Sequence, residues 1–133
     1  VGRNAPRGAL DVDLTICGRT VHVLNTHLGL WPRERPQQAD RLLELLSLSR
    51  RDLTILMGDL NEWHGWGKSL RGLRRVFGSP AAPVTFPARW PVLALDRIWI
   101  FPAQALLTVE AHDTPRSRLA SDHLPVKADI YLP

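Results

Sequence analysis

The sequence predicts an α/β fold, in which a mostly antiparallel or mixed sheet is covered by helices on one face. Three observations carry this prediction. Several short apolar segments have the period of a strand, and one longer segment has the apolar stripe of a helix. The order strand, helix, strand is typical of α/β layering. The 133 residues suffice for one domain with a core, and no repeat or linker divides 1–133.

The first predicted elements form a hairpin. Residues 11–16 alternate polar and apolar side chains, the pattern of a half-buried strand. Residues 18–19 read as a turn, and residues 21–27 as the second strand. Odd positions of that second strand share one face, so the apolar face is expected to become polar at its C-terminal end, through Val21, Val23, Asn25 and His27.

A helix and a buried strand follow. Pro36 is well placed to open the helix, which is expected to end near residues 49–51. Its apolar residues recur at helical spacing and form one stripe, made by Ala39, Leu42, Leu43 and Leu46. Residues 53–57 have the length and composition of a buried strand, and Gly58 is expected to break it.

The remaining elements are shorter. Residues 70–77 fit a short helix, whereas residues 98–101, 106–110 and 126–132 fit strands. Residues 116–123 are expected to form a polar loop.

The least regular part, residues 62–91, holds three of the five tryptophans, Trp63, Trp66 and Trp90. Two interpretations are open. A long aromatic loop beside a site can shape a substrate pocket, or the tryptophans can fill the core, which is the expectation for at least two of them.

Composition sets bounds on the function. The net charge is +4, with fifteen Arg and two Lys. Arginine suits phosphate recognition, although codon usage in a GC-rich genome is the favoured explanation of the excess. The single cysteine, Cys17, excludes an internal disulfide, and no apolar run is long enough to cross a membrane, so a cytoplasmic location is expected. The chain starts without Met, so we expect it to be a piece of a longer protein.

Polar side chains recur where the predicted strands begin or end. They are Asn25, His27, Asp59, Asn61, Asp96, Asp122 and His123. Carboxylates can bind a hard divalent cation and orient water, and histidines can donate to phosphate oxygens or protonate a leaving group. The set therefore suits metal-assisted attack of water on a phosphate ester.

Each motif alone has a plainer interpretation. Asp59 and Asn61 could form an ordinary strand-to-loop turn, in which their side chains bond only their own backbone. A single histidine at a strand end is usually a structural residue. The catalytic hypothesis depends on four such sites occurring in one small domain.

Four motifs in order resemble those of the endonuclease/exonuclease/phosphatase superfamily, which has the DNase I-like fold. They are Asn25-Thr26-His27-Leu28, Gly58-Asp59-Leu60-Asn61, Leu95-Asp96-Arg97-Ile98 and Ser121-Asp122-His123-Leu124-Pro125-Val126. The resemblance implies a four-layer α/β sandwich, of which this chain would be half. It also implies a phosphoesterase that depends on Mg²⁺ or Mn²⁺.

The resemblance assigns roles to these residues. Asp59 would activate water with the help of Asn61, and His27 would act near the scissile phosphate or the leaving group. His123 would stabilise the phosphate, oriented by Asp96. The implied catalytic set is His27, Asp59, Asn61, Asp96 and His123. The implied substrate-binding residues are Asn25, Asn61 and His123, and the implied metal ligands are Asp59, Asn61 and Asp122.

The chain departs from the family pattern in its first part. The family's early Asn and its metal-binding Glu have no counterpart before Asn25. We therefore expect residues 1–133 to be the C-terminal part of such a domain, with an apolar face left exposed. That face predicts self-association or pairing with the missing half. Weak metal binding and slow or absent turnover are expected of this piece.

Two other functions are compatible with parts of the sequence. A calcineurin-like phosphoesterase also has a Gly-Asp motif, but its Asp-x-His and Gly-Asn-His motifs are absent. A non-catalytic fragment or binding scaffold would lack the Glu as this chain does. The substrate is left open among nucleic acid, a phospholipid head group and a small phosphodiester.

Overall fold

The computed structural model describes residues 7–47, 51–64 and 67–132. Its helices and strands are β1 (Ala9–Ile16), β2 (Arg19–His27), α1 (Arg35–Ser47), β3 (Leu53–Asp59), α2 (Arg71–Phe77), β4 (Asp96–Phe101), β5 (Leu106–Ala111), α3 (Ser117–Ala120) and β6 (Val126–Ile130). Single 3-10 turns occupy Lys68–Leu70 and Ala103–Ala105. The predicted end of the first helix falls largely on residues 48–50, outside the described residues, as does Trp66.

The predicted hairpin is confirmed. β1 and β2 pair antiparallel, and the two turn residues are Cys17 and Gly18. Their φ angles are 50° and 76°, because a two-residue hairpin turn that follows the strand twist needs a positive φ at both positions. The turn therefore lies one residue earlier than the predicted turn at 18–19.

The main sheet has the order β1-β2-β3-β4. β2 and β3 are parallel and joined through α1, as the strand, helix, strand order predicts, and the other two pairs are antiparallel. β5 and β6 form a separate antiparallel pair. The prediction of an α/β fold with a mixed sheet is confirmed.

Helices cover one face of the main sheet. The predicted stripe of α1 is confirmed, since Ala39 and Leu42 are buried and Leu43 and Leu46 pack against them. The short helix predicted at 70–77 is also confirmed, as α2 and the turn before it. The buried residues of this layer are Leu24, Leu28, Ala39, Leu42, Leu56, Leu60, Leu70, Leu73, Phe77 and Trp99.

The opposite face of the sheet packs against β5 and β6. Val21, Leu53 and Ile100 are buried there, and Leu106 and Ile130 pack against them. β2 thus has buried side chains on both faces, with Val21 on this face and Leu24 on the helix-covered face. The odd positions of β2 lie on this second face. They change from buried at Val21 to exposed at residues 25 and 27, as the sequence predicts.

Three expectations are wrong in detail. Gly58 does not break the third strand, because it stays paired with both neighbouring strands and β3 continues to Asp59. The predicted polar loop at 116–123 contains the helical turn α3. Trp63 and Trp90 are exposed, so the expectation that at least two of the three loop tryptophans fill the core is wrong for these two.

Among the tryptophans that the structure describes, Trp99 in β4 is the one that fills the core. Within the described residues, none of the helices combines the length and the apolar character that a membrane crossing requires.

Candidate active site

The sheet register brings three of the predicted site residues to one edge. His27 ends β2 and lies directly beside Asp59, which ends the parallel strand β3. Asp96 begins the antiparallel strand β4 and lies on the other side of Asp59. Since the carboxyl ends of neighbouring parallel strands meet at one edge, these side chains converge where ligands usually bind in α/β sheets.

Gly58 makes this close approach possible. Its φ is +136°, and a Cβ built on it would lie 1.8 Å from the carbonyl oxygen of Thr26. Only glycine can occupy such a position, because it has no Cβ and tolerates positive φ. The Gly-Asp pair is therefore part of how β2 and β3 pack, in addition to any role in binding.

Two histidines face the Asp59 carboxylate. Its Oδ2 lies 3.4 Å from Nε2 of His27 and 3.8 Å from Nε2 of His123. The Asp59 side chain is mostly buried, whereas that of His27 is half-exposed. One carboxylate oxygen of Asp59 thus lies close to a nitrogen of each imidazole.

His123 is held from its other side by Asp96. Nδ1 of His123 lies 2.7 Å from Oδ2 of Asp96, and the hydroxyl of Thr85 donates to the same oxygen at 2.5 Å. The ring of Phe86 packs against the imidazole, with centroids 4.8 Å apart. The structure therefore brings together Asp96 and His123, the pair to which the family resemblance assigns an orienting contact.

The surroundings raise the pKa of His123 above its ordinary value. Burial of the ring is the largest single effect and lowers that pKa, but the hydrogen bond to Asp96 and the charges on the surrounding carboxylates together outweigh it. The charges on Asp59 and Asp122 add to the upward shift. A protonated His123 can donate from Nε2 toward the Asp59 side of the site.

Three side chains could together hold a cation. One ligand atom from each of Asp59, Asp96 and His123 lies within 4.8 Å of the others. The two carboxylates are suitable ligands for Mg²⁺ or Mn²⁺, and the imidazole could join them only in its neutral form. Asp122 lies outside this group: it is exposed, and its carboxylate accepts a bond from the Ser121 hydroxyl at 3.4 Å.

Asn61 connects the two loops that leave the site. Its φ is 49°, a conformation that asparagine tolerates better than most residues. Its Nδ2 donates to the carbonyl oxygen of Leu28 at 2.7 Å, and its backbone N–H donates to Oδ1 of Asp59 at 2.9 Å. Asn61 is 2% exposed, so its side chain already serves the structure of the site.

Asn25 lies at the rim of a cavity of about 380 Å³. Asp96 and His123 line the same cavity, together with Ser121 and Pro125. All three predicted substrate-binding residues are thus close to the convergence at Asp59, since Asn25 and His123 line the cavity and Asn61 bonds to Asp59 itself.

Sequence reasoning missed Thr85. It is fully buried, and its hydroxyl donates to the oxygen of Asp96 that also receives His123. No periodicity or spacing identifies it, because it lies in the irregular segment and reaches Asp96 only through the tertiary fold.

Comparison with known proteins agrees with this geometry. The model of the endonuclease/exonuclease/phosphatase family matches residues 3–123. An uncharacterised protein of Escherichia coli K12, YbhP, is 35% identical over 124 residues, which cover 86% of this chain and 48% of that protein. YbhP of Shigella flexneri matches equally well. The chain thus spans about half the length of the curated relatives it matches.

Solved structures share the fold. A magnesium-bound beta toxin variant from Staphylococcus aureus aligns with a TM-score of 0.72 at 18% identity, covering 94% of this chain and 58% of that one. A family protein from Leptotrichia buccalis aligns at 0.68, with 15% identity, 93% of this chain and 53% of that one. TDP2 of D. rerio, solved with a single-strand DNA product, aligns with a TM-score of 0.63 at 18% identity. This alignment covers 92% of this chain and 60% of that one.

These alignments assign the DNase I-like fold to the chain, with its helix layer and sheets forming part of the larger sandwich. The family model covers most of the sequence, and it includes Asp59, Asp96 and His123. The chain therefore belongs to the endonuclease/exonuclease/phosphatase family.

Proposed function

We propose that the chain carries part of the active site of a divalent-metal-dependent phosphoesterase, which hydrolyses a phosphodiester or phosphomonoester by attack of water. The observation that supports it best is the convergence of Asp59, Asp96 and His123 within 4.8 Å, with His27 beside them. Magnesium bound to the related beta toxin variant is consistent with this proposal.

The donor chemistry of the site fits a hard cation. Asp59 is the proposed primary ligand, because its carboxylate ends β3 at the convergence and Asp96 is within reach of the same position. When bound, Mg²⁺ or Mn²⁺ would polarise the phosphate and lower the pKa of the attacking water. The assignments of Asn61 and Asp122 as further ligands rest on the family resemblance.

The chain's own residues supply binding and proton transfer. The two Nε2 atoms that face Asp59 belong to His27 and His123, and both can donate to phosphate oxygens placed between them. Asp96 holds His123 in one orientation and favours its charged form. Asp59, held by the backbone N–H of Asn61, is proposed to orient the attacking water.

The site is proposed to be incomplete in residues 1–133. We infer that this chain is the C-terminal part of a single catalytic domain, since it covers 48% of YbhP and offers no counterpart of the early Glu that the resemblance implies. Full activity would then need the other part. The natural substrate is proposed to be a phosphate ester of nucleic acid, of a phospholipid head group or of a small molecule.

An exposed apolar row supports the proposed self-association. Val12 and Leu14 of β1 lie opposite Val23 and Val21 of β2, so the even positions of β1 share the face that β5 and β6 cover elsewhere. Side chains in this row are largely exposed, namely Leu10, Leu14 and Ile16. An exposed row of this kind indicates a surface that another chain covers.

The experiment that tests the function is hydrolysis of bis(p-nitrophenyl) phosphate across a Mg²⁺ and Mn²⁺ titration. The wild-type chain is compared with Asp59→Asn, which removes the charge and keeps the shape. Asp113→Asn is the matched control, because Asp113 is exposed and pairs only with Arg118 in the described part of the chain. We expect metal-dependent turnover that Asp59→Asn abolishes and Asp113→Asn retains.

Metal binding is measured in parallel, by calorimetry with Mn²⁺, because the piece is expected to turn over slowly. Weaker Mn²⁺ binding by Asp59→Asn than by the control would support the site even without turnover. Equal binding and equal turnover in both variants would contradict it. Metal binding with no turnover, even when the missing half is supplied, would favour the binding scaffold.

A further inference from the structure

A larger cavity lies beside the proposed catalytic residues. Its volume is about 700 Å³, within the range of small-molecule sites, and none of Asp59, Asp96 and His123 lines it. We call it the tryptophan groove and define it by the lining residues that the argument uses: Leu30, Trp31, Arg35, Glu62, Trp63 and Lys68.

The walls of the tryptophan groove are the two loops that leave the site. One wall follows His27 at the end of β2, and the other follows Asp59 at the end of β3. The side chain of Asn61 joins the two walls through its bond to Leu28, and the backbone N–H of Leu28 donates to the carbonyl of Asp59 at 2.9 Å. The groove is therefore built from the loops that directly follow His27 and Asp59, and we take it as the place for the rest of a ligand whose phosphate lies at Asp59.

The groove exposes two indole rings. Trp31 is 62% exposed and Trp63 is 57% exposed, although tryptophans that only stabilise a fold are mostly covered, as Trp99 is here. Exposed aromatic side chains on a concave surface are suited to stack planar rings.

Charged groups lie between the tryptophans. Arg35 and Glu62 are both buried, and Nη1 of Arg35 donates to the carbonyl of Leu30 at 2.9 Å, which fixes that wall. Lys68 is exposed at the same groove. The polar edge of a ring can bond to the exposed Lys68 ammonium, whereas an acyl chain would cover that ammonium without replacing its contacts with water.

We propose that the tryptophan groove binds the base of a nucleoside phosphate, so that the substrate is a nucleotide ester. This inference rests on the proposed function, because the groove selects the group attached to the phosphate at Asp59. The base could belong to a single-stranded polynucleotide or to a free nucleotide, and both present the same chemistry to the groove.

The test measures binding without turnover. Adenosine 5′-monophosphate, an eight-residue single-stranded oligodeoxyadenylate and phosphatidylcholine vesicles are each titrated into the full chain in EDTA, by calorimetry. The variants are Trp63→Ala and Trp31→Ala. Trp90→Ala is the control, because Trp90 is 80% exposed and does not line the groove. Circular dichroism checks that each variant is folded. If one of the two groove variants is not folded, the other is sufficient for the test.

We expect the nucleotide to bind and Trp63→Ala to raise its Kd about tenfold, the effect of losing about 1.4 kcal/mol of stacking, with no change in Trp90→Ala. Tighter binding of the oligonucleotide than of the mononucleotide would identify a polynucleotide as the source of the base, and similar binding a free nucleotide. No nucleotide binding, an equal loss in Trp90→Ala, or binding to vesicles alone would overturn the inference.

These results are separable from those on the proposed function. The groove inference fails if base binding is absent while Asp59→Asn still abolishes metal-dependent turnover. The proposed function fails if Asp59→Asn changes neither turnover nor metal binding, whatever the groove binds.

Discussion

His123 and Asp96 are joined at 2.7 Å, although 27 positions separate them in the sequence. The bond fixes which nitrogen of the imidazole faces Asp59, because Nδ1 is engaged and Nε2 points toward the carboxylate. It also connects the start of β4 with the loop before β6. The site therefore depends on the packing of the second sheet against the first as much as on β3.

The first prediction concerns the pKa of His123. In metal-free protein we expect it to lie above the ordinary value of about 6.5, and to fall in Asp96→Asn, because the hydrogen bond and the nearest charge are lost while burial persists. A nuclear magnetic resonance titration of the histidine ring measures both values. Asp113→Asn, a change of the same kind at an exposed carboxylate, should leave the pKa of His123 unaltered.

The raised pKa of His123 also makes the free energy of unfolding depend on pH. A histidine whose pKa is higher in the folded state stabilises that state fully when the pH is below the pKa of the unfolded chain, about 6.5. This stabilisation is lost as the pH rises through the pKa of the folded state. The free energy of unfolding should fall over that window in the wild type and fall less in Asp96→Asn. An identical pH dependence in both proteins would contradict the assigned role of Asp96.

Gly58→Ala tests the contact between β2 and β3. A Cβ at this position would lie 1.8 Å from the Thr26 carbonyl oxygen, and the φ of +136° is unfavourable for alanine. We expect a loss of about 3 kcal/mol in the free energy of unfolding, measured by urea denaturation. Gly8→Ala is the matched control, since a Cβ there meets nothing within 4 Å. Equal stability of the two variants would show that the strands can separate at Gly58 without cost.

Asn61→Ala tests the connection between the two loops. The substitution leaves the buried Leu28 carbonyl without the bond from Nδ2, which should cost about 1–3 kcal/mol of stability. Asn25→Ala is the control, because Asn25 is exposed at the same edge of the sheet. A stability change no larger than that of the control would mean that Asn61 serves the ligand alone.

Leu14→Lys tests self-association through the apolar row of β1. We expect the wild-type chain to associate as its concentration rises and the variant to be shifted toward monomer, because a charge on the row opposes its burial. Sedimentation velocity over a range of concentrations measures the shift. Leu119→Lys, a change at an exposed leucine of α3, should have no effect. A wild-type chain that is monomeric at every concentration would exclude the proposed association.

Much of the fold was predictable because it depends on local pattern. The hairpin, the stripe of α1 from Ala39 to Leu46, and the apolar strand before Gly58 all follow from spacings of a few residues, which the backbone geometry of helices and strands imposes. The site residues at the strand ends were predictable for a related reason, since side chains such as Asp59 and His27 follow apolar segments that the core requires.

Other features could not be predicted, because they depend on contacts between distant segments. Gly58 pairs with Thr26 so closely that no Cβ would fit, and Thr85 reaches Asp96 only when the irregular segment folds over β4. Whether the side chain of Trp63 is buried depends on which distant segments pack against it, and its neighbours in the sequence do not specify those segments.

The fold class, the family and the polar residues that end the strands follow from the order of amino acids. Packing between distant elements places the Asp59 carboxylate close to two imidazoles, brings Thr85 to Asp96, and leaves two tryptophans exposed at a groove beside them. The two groups of features differ in how far apart along the chain the interacting residues lie. Secondary structure reflects backbone geometry over a few residues, whereas side-chain orientation and exposure are set by packing between elements that lie far apart in the chain.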